Sequence, residues 1–159
     1  MSTHRIHCTV NGEEHNLDVP TGRMLSDFLR DDLHLTGTKR GCETGVCGAC
    51  SILIDGEVVK SCLMLAAQVD GREITTIEGL SSGDALHPLQ ESFMECGGLQ
   101  CGYCTPGMIM ASCDLLKNNP NPSIEEVQRG LSGNLCRCTG YTQIVESVLH
   151  AAEEMNHGN

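Results

Sequence analysis

The segment that decides the reading runs from Gly41 to Cys50, GCETGVCGAC. Three of its ten residues are cysteine and three more are glycine. Glycine removes the Cβ that blocks close approach and admits positive φ. It also leaves amide N–H groups free to point at anionic sulfur. A loop of this kind wraps tightly around something. The next cysteine is Cys62, so the spacing is C-x4-C-x2-C-x11-C. Structural zinc sites favour paired C-x2–4-C knuckles, and one C-x2-C preceded by a cysteine five positions earlier fits them poorly. Two irons bridged by sulfide take two thiolates each, so three from one curled loop and a fourth from elsewhere meet the demand. Cys42, Cys47, Cys50 and Cys62 are therefore the candidate ligands of a 2Fe–2S cluster. Lys39 and Arg40 adjoin the loop as either a solvated turn or a charge-compensating pair.

Composition sets the limits around this loop. The chain has 159 residues and a formal charge of −11, with 21 acidic against 10 basic side chains, which argues against a nucleic-acid partner. It has no Trp, two Phe and two Tyr, so large aromatics contribute little to its core. Its 11 cysteines are far above ordinary usage. The N-terminus MSTHRIHCTVNG carries no apolar export segment and no twin arginine, and no apolar run is long enough for a membrane span. The expectation is a cytoplasmic protein, whose reduced thiols favour metal over disulfides.

Working outward from the loop, HRIHCTVNGEEHNLDV reads as a hairpin. Ile6, Cys8 and Val10 alternate with polar residues around an Asn11-Gly12 turn. Met24, Leu25, Phe28 and Leu29 share one helix face, with Thr21 as its expected cap. SILI and EVVKSC form a second hairpin across Asp55-Gly56, and EITTI (73–77) a further strand. The turn-rich GLSSGDA (79–85) marks a boundary. Beyond it the periodicity is helical. Leu86, Leu89 and Phe93 share a face, Thr105-Pro106 opens a helix, Ser123 and Glu126 have capping-box spacing, and Ile144 to Ala152 is amphipathic. The pattern predicts an α+β chain, strand-rich first and helical afterwards.

The second half carries Cys101-x2-Cys104 and Cys136-x-Cys138, 31 residues apart. Two cysteine pairs suit zinc as well as iron, although C-x-C is too short for a zinc knuckle. Both pairs fall near helix starts, where a thiolate is stabilised. By spacing alone, zinc and a second cluster stay open. Cys8, Cys96 and Cys113 are expected to pack as small buried hydrophobes, with Cys96 the one closest to a ligand pair. His4, His7, His15 and His34 show no ligand spacing and are expected at the surface.

GCETGVCGAC with Ser61-Cys62, LQCGYCTPGMIM (99–110) and GNLCRCTGY (133–141) together resemble the small iron–sulfur subunit of the molybdenum hydroxylases. That family includes xanthine dehydrogenase, aldehyde oxidoreductases, aerobic CO dehydrogenase, N-heterocycle hydroxylases and 4-hydroxybenzoyl-CoA reductase. The likeness spans essentially the whole chain. It implies a plant-ferredoxin-like β-grasp domain over residues 1–78 and an all-α four-helix-bundle domain over residues 79–159. It implies a second 2Fe–2S cluster on Cys101, Cys104, Cys136 and Cys138. The implied partners are a large subunit holding molybdopterin and a medium subunit holding FAD, in an (αβγ)2 assembly. Electrons would run from molybdenum through the helical-domain cluster and then the ferredoxin-like cluster to flavin. Gln100 and Cys138 match the family positions that approach the pterin.

Nothing in the residues conflicts with that division of labour. The chain offers no convincing general base, nucleophile or G-x-G-x-x-G, so no catalytic residue is assigned to it and substrate chemistry falls to another subunit. Val46 stands where CO dehydrogenase small subunits carry a histidine and so resembles the purine and N-heterocycle enzymes more; the expected substrate is an N-heterocycle or purine, with CO, an aldehyde or an aromatic CoA thioester as the alternative. A freestanding ferredoxin-type carrier and a zinc-stabilised interaction module are the competing readings.

Overall fold

Alternating apolar and polar residues make Thr3–Val10 strand β1, with Ile6, Cys8 and Val10 buried along one face. It turns at Asn11 (φ +52°) and Gly12 (φ +84°), both in the left-handed region that a two-residue hairpin turn requires, and returns as β2, Glu13–Pro20. Asp55 (φ +51°) and Gly56 (φ +81°) repeat the device between β3, Ser51–Ile54, and β4, Glu57–Lys60. Strand β5, Glu73–Thr75, slots between the hairpins, parallel to β1 and antiparallel to β3. The resulting five-stranded mixed sheet has the order β2-β1-β5-β3-β4. The computed structural model describes residues 2–83 and 85–157, so Asp84 of the turn-rich boundary lies outside the described residues.

The first helix is shorter than its periodicity suggests. Helix α1 covers only Leu25–Asp27 and continues as a π-turn over Phe28–Asp32. Thr21 is not its cap: the N-cap is Met24, which has no side-chain cap, and Thr21 hydrogen-bonds Ser2 instead. The Leu25 amide is satisfied across the fold by the Met64 carbonyl at 2.8 Å, which removes the need for a local cap. Leu25, Phe28 and Leu29 are fully buried with Ile6, Ile52 and Ile74. Burial of each such side chain contributes roughly 1.5–3 kcal/mol.

Four helices follow: α2 Pro88–Glu95, α3 Thr105–Asn118, α4 Ile124–Gly130 and α5 Thr142–His157. Pro88 occupies the first turn of α2 and His87 caps it, so Leu86 lies outside the helix and is 40% exposed, off the expected face. Ser123 and Glu126 close the expected capping box. Leu89, Phe93, Met108, Val127, Ile144 and Val148 form a second apolar cluster, distinct from that of the sheet. Helix α3 also lies against β3, joining the two halves. The architecture is α+β, with five α-helices among the described residues. None of the described helices is long and apolar enough to cross a membrane.

Candidate metal centres

Between the π-turn and β3 the chain forms no regular element; it is held by side chains. Arg40 ion-pairs with Asp27 (2.9 Å) and Asp31, and Lys39 Nζ donates to the Thr36 carbonyl at 2.8 Å. Arg40 thus anchors the loop to α1 and the π-turn, while Lys39 braces the segment just before the loop. Gly45 and Gly48 have φ of +76° and +72°. At Gly41 a Cβ would lie 2.7 Å from Cys47 Sγ, so the thiol fills the space a side chain would take.

Amide N–H groups in this loop aim at sulfur. Thr44 N and Cys47 N donate to Cys42 Sγ at 3.4 and 3.3 Å. Hydrogen bonds from Thr44, and then from the Cys47 amide, bring the Cys42 thiol down to about 6, which favours the thiolate that metal binding requires. Cys62 sits in the short turn Ser61–Leu63 that follows β4. Ser61 clamps it to the loop, donating to the Cys50 carbonyl from its amide (3.3 Å) and its hydroxyl (2.8 Å). Cys50 and Cys62 are buried with their thiols hydrogen-bonded; burial first, and the Cys50 contact second, push Cys62 up to about 11.

The second set is assembled from segments far apart in sequence. Cys101 and Cys138, both exposed, place their Sγ atoms 3.6 Å apart. Cys104, the N-cap of α3, meets Cys136; burial, and then the Cys136 contact, push Cys104 up to about 12. Burial acts to raise Cys136, but hydrogen bonds led by the Thr139 hydroxyl (3.2 Å) outweigh it and lower its pKa. The Tyr141 hydroxyl accepts from the Cys136 amide at 2.9 Å and steadies the turn. Gln100 lies exposed beside Cys101.

Three of the four contacts, Cys50 with Cys62, Cys101 with Cys138 and Cys104 with Cys136, bring thiols together in twos, and the loop folds Cys47 back onto Cys42. Among the described residues no group of three or more Cys, His, Asp or Glu is drawn around a single metal ion. Two thiolates per iron is the demand of a 2Fe–2S rhomb, and this donor set fits it.

The remaining cysteines stand apart from these pairs. Cys8 is buried in β1, its thiol raised by burial; Cys113 lies in α3, pushed up to about 12 by burial. Cys96 ends α2, raised by burial, with Ser147 as its hydrogen-bonding neighbour. His4, His7 and His34 are exposed as expected, but His15, opposite Cys8 in the hairpin, is half-buried.

Contacts between the two thiol regions were not legible in the motifs. Leu135 N donates to the Cys47 carbonyl at 2.8 Å, and Asn134 Nδ2 to the Gly48 carbonyl at 3.0 Å. The Tyr103 hydroxyl donates to the Arg40 carbonyl. Lys60 Nζ reaches Ser51 Oγ (3.1 Å), the Gly133 carbonyl (2.7 Å) and Asn134 Oδ1 (3.0 Å). Burial lowers the Lys60 pKa, while the cysteines of the first loop act to raise it. The only hint in the sequence was adjacency: Lys60, Tyr103, Asn134 and Thr139 each lie within two residues of a cysteine.

Comparison with known proteins carries the same pattern. A family model described as a 2Fe-2S iron-sulfur cluster binding domain matches residues 8–81, and one described as a [2Fe-2S] binding domain matches residues 76–149. The nicotine 6-hydroxylase small subunit of Paenarthrobacter nicotinovorans is 55% identical over 97% of this chain and 93% of its own length. The caffeine dehydrogenase subunit gamma of Pseudomonas sp. strain CBB1 is 49% identical, over 93% of this chain and 90% of that one. In the crystal structure of quinoline 2-oxidoreductase from Pseudomonas putida 86, a chain 48% identical superposes with a TM-score of 0.94, covering 98% of both. With two 2Fe–2S-binding domains in one chain, the protein belongs to the small iron–sulfur subunits of the molybdenum hydroxylases, the electron-transfer components of those oxidoreductases.

Proposed function

We propose that this chain relays electrons, one at a time, from a molybdopterin centre in a large subunit to FAD in a medium subunit. Cys42, Cys47, Cys50 and Cys62 would together hold one 2Fe–2S cluster in the half spanning residues 1–78, a ferredoxin-like β-grasp. Cys101, Cys104, Cys136 and Cys138 would hold the other in residues 79–159, where the four helices form a bundle. The bound clusters supply one-electron redox chemistry without protons or substrate bonds. The chain's own residues pair the thiolates, donate N–H and O–H groups to sulfur and keep the inner thiols away from water. The observation that carries this reading is the arrangement of the eight thiols, four to a site, with the sites joined by the Leu135–Cys47 hydrogen bond.

The outer site points to the pterin. Cys101, Cys138 and Gln100 are exposed together, so this face of the helical half is where the large subunit docks, with Gln100 and Cys138 against the pterin. Nicotine, caffeine and quinoline, named in the relatives, are all N-heterocycles. The substrate of this complex is accordingly an N-heterocycle or purine, turned over in a cytoplasmic (αβγ)2 assembly. The complex should contain four irons per copy of this chain, give two distinct EPR signals on reduction, and oxidise pyridine, purine or quinoline rings. Fewer irons or a single signal overturns the relay; turnover of only CO or aldehydes overturns the substrate.

A further inference from the structure

Lys60 is a positive charge at a place where the fold had cheaper options. It ends β4, opposite Ser51 in the sheet register, and is flanked on both strands by thiols: Ser51 follows Cys50, and Cys62 is two residues on. Its ammonium is half-buried and makes three hydrogen bonds, to Ser51 Oγ, the Gly133 carbonyl and Asn134 Oδ1. None of these partners is a carboxylate, so the charge is hydrogen-bonded but not neutralised. Desolvating an ammonium against neutral acceptors is costly, and an uncharged glutamine could pin the same carbonyl. What lies around the lysine explains the arrangement: Ser51, opposite it in the register and bonded to its ammonium, follows Cys50, and Cys62 is two residues further along its own strand and turn, so the charge sits beside the first thiol site. Partial burial limits screening by salt, so the charge acts over several ångströms.

We propose that Lys60 is a positioning residue for the electron: its unneutralised ammonium raises the reduction potential of the cluster in the ferredoxin-like half relative to that in the helical half, and so sets the direction of transfer between them. This rests on the relay reading above. Four thiolates and two sulfides around two ferric ions leave a dianion. One electron from the reduced helical-half cluster makes the acceptor a trianion and reoxidises the donor, with no proton moved. A fixed positive charge stabilises the trianion more than the dianion, so it raises that cluster's potential. Lys60 also touches Gly133, three residues before Cys136, but its strand neighbour Ser51 adjoins Cys50 and its own strand runs into Cys62, both of the first site; the effect is therefore unequal, and the inequality is the bias.

The test is an EPR-monitored redox titration of the complex carrying both clusters, with wild-type chain, Lys60→Met, Lys60→Gln and Lys60→Arg. The wild type checks the reading beneath the proposal: four irons and two signals must be present before any variant is interpreted. In Lys60→Met and Lys60→Gln the ferredoxin-like cluster should fall relative to the helical one. One electron shared between them should shift about tenfold towards the helical half, equivalent to about 59 mV for a one-electron couple. Lys60→Arg, which keeps the charge, should restore most of the wild-type gap. Gln retains a donor for the Gly133 carbonyl and separates charge from pinning. An unchanged gap in Lys60→Gln at full iron content overturns the proposal. So does loss of iron from both neutral variants, because Lys60 would then be holding the site together instead of setting its potential.

Discussion

The two thiol sites do the same job with opposite construction. In the first, three cysteines lie within nine consecutive residues, Cys42 to Cys50, and the loop that carries them supplies its own N–H donors to sulfur. In the second, the thiols come from the start of α3 and the approach to α5, 31 residues apart, and a threonine hydroxyl donates to sulfur. The first hides Cys50 and Cys62; the second exposes Cys101 and Cys138. One site is built inward from a sheet, the other outward from helix ends. The difference matches a relay in which the helical half meets its donor directly at an open face, while the ferredoxin-like half keeps two thiols dry.

The comparison can be broken most forcefully at Cys47. Cys47→Ser should cost two irons and one EPR signal while the helical-half signal survives; loss of all four irons would show that the two sites do not assemble independently. Next comes Gly48→Ala. Gly48 has φ +72°, and a Cβ there would sit 2.5 Å from the Gly133 carbonyl and 2.6 Å from Asn134 Cγ. The left-handed conformation alone costs about 1–2 kcal/mol for a residue with a Cβ, and the collision adds to it. Thermal unfolding of the iron-loaded chain should move down by several degrees, with the two signals altered in their magnetic coupling.

A finer test targets the donors to sulfur. Thr139→Val removes the hydroxyl that donates to Cys136 Sγ, worth on the order of 1 kcal/mol. Donors to sulfur favour the reduced cluster, so the helical-half potential alone should fall in a redox titration. The smallest effect is expected at Cys113. Cys113→Ala should leave iron content unchanged, whereas loss of two irons would make it a ligand. With its thiol raised to about 12 from 9.0 by burial, the folded chain holds that proton where the unfolded chain releases it. Cys113 therefore takes nothing from stability below pH 9 and erodes it between pH 9 and 12. The alanine variant should lack that decline when denaturant midpoints are compared across the range.

Much of this was legible because it was local. Asn11-Gly12 and Asp55-Gly56 announced their hairpins, since few dipeptides accept positive φ at both positions. Ser123 and Glu126 announced a helix start through a bond that spans three residues. The first site was legible for the same reason: its ligands are close in sequence and their spacing is geometrically restrictive. Thr21 misled because the helix starts later, at Leu25, whose amide is satisfied by Met64, 39 residues further on, and no local pattern records that. The sharing of Cys101 with Cys138 and of Cys104 with Cys136 was equally hidden, because spacing names the thiols but not their partners. Lys60 and Asn134 join residues more than seventy positions apart, and only the folded chain brings them together.

Gly107, in the first turn of α3, has a consequence of its own. A methyl group there would strike the carbonyl of Gly48, so helix and loop meet backbone to backbone with only hydrogen between them. Tunnelling decays exponentially with the gap it crosses, so the thickness of one missing methyl is a kinetic quantity. Two glycines facing each other act as a gauge block. They let the loop of the first thiol site and the helix that begins at the second meet without a side chain between them, and a single added methyl would push the two apart.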